Sequence, residues 1–112
     1  MLGERFDTLH TPPGKQAARG LTVNTLRCAP ERFAAESGLP LTPSPFCGQA
    51  FLLPEEACKP GRHPYHHAGV FYAQEPSAAA PAPRLSVRPG MKVLDLCAAP
   101  GGKSSQLAAF LA

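Results

Sequence analysis

A 112-residue chain with a net charge of +3 has room for one ordinary domain. Its eleven Lys and Arg residues are scattered, so the mildly basic balance suits a nucleic-acid partner and equally a generic soluble surface. Four cysteines without a C-x-x-C pair, no secretory leader and no membrane-length apolar run weigh against a disulfide scaffold or a membrane span, and point to a cytoplasmic protein with reduced thiols.

In chain order, residues 1–20 open with LGERFDTLH, read as the end of a helix, and pass through the loop signal Thr11-Pro12-Pro13-Gly14. Residues 20–27, GLTVNTLR, alternate and are β-branched, which predicts a strand. Residues 29–38, APERFAAESG, predict a short helix: Pro30 suits its first position, acids lie near its start, Gly38 ends it and Phe33 faces the core. A proline-rich loop at 39–45 leads to a second strand at 46–54. A polar, turn-rich stretch at 55–64 precedes a third strand at 70–73. Residues 78–87, AAAPAPRLSV, favour helix through Ala and Leu, but a proline in a helix interior costs about 3 kcal/mol. One or two turns, distorted near Pro83, are expected. Arg88-Pro89-Gly90 turns the chain into a fourth strand at 92–96, and a helix opens at Lys103 with Leu107, Phe110 and Leu111 on one face.

The last twenty residues carry the chemistry. A strand, a small-residue turn from Cys97 to Gly102 and a helix start favour an anionic or zwitterionic small molecule. Glycines let backbone approach a ligand, and a helix N-terminus presents free N–H groups and a positive dipole end. CAAPGGKS nearly matches the phosphate loop G-x-x-x-x-G-K-[ST], with Gly102-Lys103-Ser104 as its last three positions. Cys97 stands where the first glycine belongs, and Pro100 removes an amide, so a nucleotide-binding loop is an alternative defective at two points. Asp95 fits a hydrogen-bonded acid that fixes the turn; Lys103 either faces a ligand carboxylate or is simply solvated. Cys58, His63, His66 and His67 fit no standard zinc spacing, so no metal is expected. Tyr65, Phe71 and Tyr72 are candidates for base stacking, with apolar packing the favoured reading.

The longer string VLDLCAAPGGKSSQLA resembles the first cofactor motif of the RNA cytosine-5 methyltransferases of the NOL1/NOP2/Sun type. RGLTVNTLR, LPEEACKPGRHPYHHAGVFYAQEPSA and RLSVRPGMKVLDLCAAPGGK agree in order and spacing with the bacterial ribosomal-RNA branch, so the resemblance covers nearly the whole chain. It implies an α/β fold. A small α+β module of RNA-binding type at 1–73 precedes, at 74–112, the first βα unit of a doubly wound, Rossmann-like methyltransferase domain. It implies S-adenosylmethionine as cofactor, bordered by Cys97, Ala98, Ala99, Pro100, Gly101, Gly102 and Lys103, and RNA as partner. Gln74-Glu75-Pro76-Ser77 matches a family segment beside the catalytic pocket, with a structural loop as the plainer reading. The extra Pro83 departs from the family pattern. The family's ribose-binding acid and its two catalytic cysteines have no counterpart in these residues, so the chain reads as an N-terminal portion without a catalytic residue of its own. A non-catalytic RNA-binding module is the other alternative class.

Overall fold

The computed structural model describes residues 19–54 and 59–112. The readings over residues 1–18, and over 55–58 with Cys58, lie outside the described residues.

Four strands form an antiparallel sheet in the order β2-β3-β1-β4, with β1 at Arg19–Val23, β2 at Thr42–Pro43, β3 at Ala50–Leu53 and β4 at Phe71–Ala73. Leu21 lies opposite Phe51 on one side and Ala73 on the other, and Val23 opposite Phe71. Side chains alternate across a strand, so Leu21, Val23, Phe51, Leu53 and Phe71 share one face. Helix α1, Pro30–Glu36, covers that face with Phe33, which is 2% exposed. The Phe33 ring lies 5.4 Å from Phe71 and 6.4 Å from Phe51, both tilted, an arrangement that aromatic quadrupoles favour. Pro43 fits the edge strand β2, since proline cannot donate to a second neighbour.

The opposite face is built from smaller groups. Thr22, opposite Ala50 and Tyr72, belongs to it, and Cys47, Ala50 and Ala79 form a compact second cluster there. Against it pack the 3₁₀ turn Pro76–Ala79, the single helical turn α3 at Pro81–Arg84, and helix α4 at Gly102–Leu111. The short turn α2, Pro64–His67, flanks β4.

The expected elements are found with shorter bounds. The strand read over 20–27 stops at Val23 because Asn24 turns the chain. Its Oδ1 accepts from Leu26 N at 3.1 Å, its carbonyl from Arg27 N at 2.9 Å, and its Nδ2 donates to Gly69 O at 3.0 Å. The strand read over 46–54 starts only at Ala50, whose N–H is spent on a turn back to Cys47 O. Phe33 faces the core, and the proline-rich 78–87 segment breaks into short turns as expected. The helical turn α2 within the polar stretch had no periodicity to announce it.

The largest departure concerns residues 92–96. They form no ladder and are not a strand, and Val93, Leu94 and Leu96 are 40%, 81% and 85% exposed. A strand exists through its hydrogen-bonded neighbours, and among the described residues none lies beside this one. The fold is thus a small α+β unit with an antiparallel sheet; the opening βα unit of a doubly wound parallel sheet is not present among the described residues. Among them no helix is long and apolar enough to cross a membrane.

Candidate functional site

The turn from Cys97 to Lys103 is fastened from two directions. Asp95, just before it, accepts from Cys97 N at 3.0 Å through Oδ1 and from the Ser104 hydroxyl at 2.6 Å through Oδ2. One carboxylate therefore clamps the two ends of the turn, the role expected for Asp95. From the sheet side, the Tyr72 hydroxyl donates to Pro100 O at 3.0 Å. Gln74 lies beneath Gly102: a Cβ there would stand 3.2 Å from Gln74 Cδ, Gln74 Oε1 and Tyr72 Cε1. A methyl group there would push on both side chains, so Gly102 lets the helix start close against the sheet. Gly101 precedes it at φ 112°, a conformation that glycine adopts without strain.

Gln74 is itself held. Its Nε2 donates to Ala78 O at 2.7 Å and lies 3.4 Å from Gln106 Oε1, while its Oε1 accepts from the Thr22 hydroxyl at 3.2 Å. Gln106, 3% exposed, donates to Ala79 O at 3.1 Å. Such a satisfied polar network fixes geometry more than it adds net stability. Neither Tyr72 nor Gln74 carries a signal of this role in a single sequence. Their significance depends on which atoms of a distant turn they meet.

Between this floor and the turn lies a cavity of about 210 Å³. Residues 97–103 form its rim, and Tyr72, Gln74 and Glu75 stand among the residues opposite. All seven residues expected to border the cofactor are thus brought together. No side chain caps the leading amides of α4 and its own first turn holds no acid, while the Asp95 carboxylate reaches that turn through the Ser104 hydroxyl. Lys103 and Cys97 are exposed, and Cys97 is a free thiol.

Glu75 caps the 3₁₀ turn. Its carboxylate accepts from the Ser77 hydroxyl, from Ser77 N at 3.1 Å and from Ala78 N at 3.2 Å. The Ser77 hydroxyl above all, then the Ser77 amide, holds this carboxyl below its ordinary pKa. The Gln74–Ser77 segment is thus the structured loop of the plainer reading, and Gln74 and Glu75 of it also line this cavity. Of the three aromatic candidates, Phe71 is core, Tyr65 is 41% exposed and Tyr72 supports the turn. His63 Nδ1 accepts from Tyr65 N, and among the described residues no three His, Cys, Asp or Glu side chains gather as a metal site.

A family model described as the N-terminal domain of 16S rRNA methyltransferase RsmF matches residues 1–76. The ribosomal RNA small subunit methyltransferases F of Salmonella paratyphi B and Salmonella newport are each 34% identical over 93% of the chain. The chain spans 23% of their length. A solved methyltransferase homolog protein from Pyrococcus horikoshii superposes with a TM-score of 0.79 at 31% identity, over 97% of this chain and 37% of that one. The resemblance read from the cofactor motif and its upstream strings therefore holds, and the chain belongs to the family of the N-terminal domain of 16S rRNA methyltransferase RsmF.

Proposed function

We propose that this chain is the N-terminal part of an S-adenosylmethionine-dependent enzyme that methylates carbon 5 of cytosine in RNA, ribosomal RNA being the substrate class its relatives' names carry. Residues 1–73 form the module that contacts RNA, and 74–112 begin the methyltransferase domain. The enzyme works in the cytoplasm, where its RNA is. The observation that carries this reading is the cavity rimmed by Cys97 to Lys103, with a glycine-led helix start on one side and the Tyr72–Gln74 floor on the other.

The residues present fit the cofactor. Small side chains at 98, 99, 101 and 102 leave backbone accessible, and the uncapped start of α4 suits the carboxylate of an amino-acid moiety. Lys103 adds a positive charge at the same rim. When bound, the cofactor supplies the methyl group. Asp95, Tyr72 and Gln74 hold the turn in a fixed shape, which reduces the ordering cost of binding. Cys97 lines the pocket proposed for the cofactor, so it shapes that pocket and makes no bond to cytosine. The two cysteines that do this chemistry in the family have no counterpart here, and this chain alone turns over no substrate.

S-adenosylhomocysteine titrated into the full chain should shift the amide resonances of 97–103. Shifts there with ATP and magnesium, and none with S-adenosylhomocysteine, would replace this reading with the phosphate-loop one.

A further inference from the structure

Two charged residues line the cavity at the 97–103 turn: Lys103 on its rim and Glu75 opposite. Their signs are opposite, yet they do not pair with each other. Among the described residues the only ion pair joins Arg32 to Glu36. Opposite charges that line one cavity without meeting leave room between them for a ligand that carries both signs.

Glu75 is already held in place. Its Oε1 accepts from Ser77 N at 3.1 Å, and its Oε2 accepts from Ala78 N at 3.2 Å and from the Ser77 hydroxyl. Ala78 is itself on the cavity wall, so the carboxylate stands at that wall. The Ser77 hydroxyl above all, then the Ser77 amide, keeps this carboxyl below its usual pKa, so it is ionised at neutral pH. An ionised carboxylate offers about four lone-pair sites, and three bonds leave it room to accept one more. An exposed glutamate ordinarily loses rotamer freedom when it meets a ligand; this one gave that freedom up when the chain folded. Asp95, the other acid near the turn, does not line this cavity, and its two oxygens are engaged by Cys97 N and the Ser104 hydroxyl.

We infer that Glu75 receives the α-ammonium group of the cofactor's amino-acid end, while Lys103 and the first amides of α4 receive its carboxylate. The inference rests on the cofactor reading above and adds to it the residue that tells an amino acid from a plain carboxylic acid. An ammonium group is all donor and a carboxylate all acceptor, so each end of the ligand has one matching side of the cavity. The size agrees: a cavity of about 150 Å³ holds a benzene ring, so about 210 Å³ has room for an amino-acid moiety.

The test compares S-adenosylhomocysteine with its deaminated analogue, which keeps the nucleoside, the sulfur and the carboxylate but has hydrogen in place of the ammonium. Both are titrated into the ¹⁵N-labelled full chain and read at the amides of 97–103. The unaltered chain should bind S-adenosylhomocysteine about tenfold more tightly than the analogue. Glu75→Gln keeps the side chain's length and an acceptor for Ser77 and Ala78 but removes the charge. It should lower the affinity for S-adenosylhomocysteine about tenfold and leave that for the analogue unchanged, so that the two bind alike. Ser77→Ala loosens the same cap and keeps the charge, and should cost S-adenosylhomocysteine far less. Equal binding of the two ligands by the unaltered chain overturns the inference without any variant. So does a Glu75→Gln change that weakens both ligands equally or neither, or a Ser77→Ala change that matches it, since Glu75 would then serve its own turn alone. In each of these results S-adenosylhomocysteine still shifts 97–103 and the cofactor reading stands; if neither ligand shifts 97–103 in the unaltered chain, that reading fails and this inference with it.

Discussion

Gly102→Ala separates two opposed expectations. Helix propensity alone favours alanine over glycine by about 0.5–1 kcal/mol, so a generic helix start would be stabilised. Here the added Cβ would lie 3.2 Å from three atoms of two side chains. Neither neighbour is a free end: Gln74 is bonded to Thr22 and Ala78, and Tyr72 to Pro100 O. Overpacking of this kind costs roughly 1–3 kcal/mol, which exceeds the propensity gain and leaves a net loss of about 1 kcal/mol. For a chain of this size that lowers the melting temperature by about 4 °C. Urea denaturation followed by circular dichroism measures it directly. The companion variant Gln74→Ala loses its own hydrogen bonds but opens room for the new methyl. The double variant should therefore be less destabilised than the sum of the two singles, a coupling that only contact between the sites produces. If Gly102→Ala raises the melting temperature, or the two changes add simply, the close approach of α4 to the sheet is not what fixes this glycine.

Tyr72→Phe removes one hydrogen bond and should cost about 1 kcal/mol, with faster amide exchange at 101–105 but not in β1. Asp95→Ala frees both ends of the turn; it should weaken S-adenosylhomocysteine binding several-fold while leaving the aromatic core spectrum unchanged. The Glu75 cap has a defined pH sign: its folded pKa is depressed, so its contribution is complete above the ordinary carboxylate range and is lost as pH falls through the folded value. The Ser77 and Ala78 amide shifts should titrate below the usual glutamate range, and a midpoint at or above it would contradict the cap. Arg32 and Glu36 pair at 3.0 Å with side chains 70% and 58% exposed, so Arg32→Ala should leave the urea midpoint unchanged.

What could be read from the residues divides along physical lines. Alternation and β-branching mark β1, and proline, acid and glycine in order mark α1, because each signal acts on the backbone where it occurs. Asn24 hides its effect: the same residue sits comfortably in an alternating run, and only its hydrogen bonds to the turn and to Gly69 show that it ends the strand. The stretch 92–96 has a strand's composition but lacks a ladder among the described residues, since a strand's stability resides in its neighbours. The turn at 97–103 was legible as a turn into a helix because glycine, proline and a basic helix start have local meaning. Its floor was not, since Tyr72 and Gln74 look like ordinary strand residues until the chain folds.

That floor explains how a sheet of this size relates to the turn. The family match ends at residue 76, and the turn begins at 97, yet besides Asp95 and Ser105 the turn is held from β4, by the Tyr72 hydroxyl, and rests on Gln74 just after that strand. The two units proposed for the chain therefore meet along one wall, made of Tyr72, Gln74 and Gly102. A cofactor held at the turn, as proposed, would press on this tyrosine. Tyr72 is fixed at its hydroxyl by Pro100 O and in its ring by His66 and Gly102, so a movement of the turn must strain a contact in the sheet. If the turn holds the cofactor as proposed, S-adenosylhomocysteine should slow amide exchange in β4 as well as at 97–103, and Tyr72→Phe should remove the effect on β4 while the shifts at 97–103 persist; protection confined to 97–103 in the unaltered chain would refute the coupling.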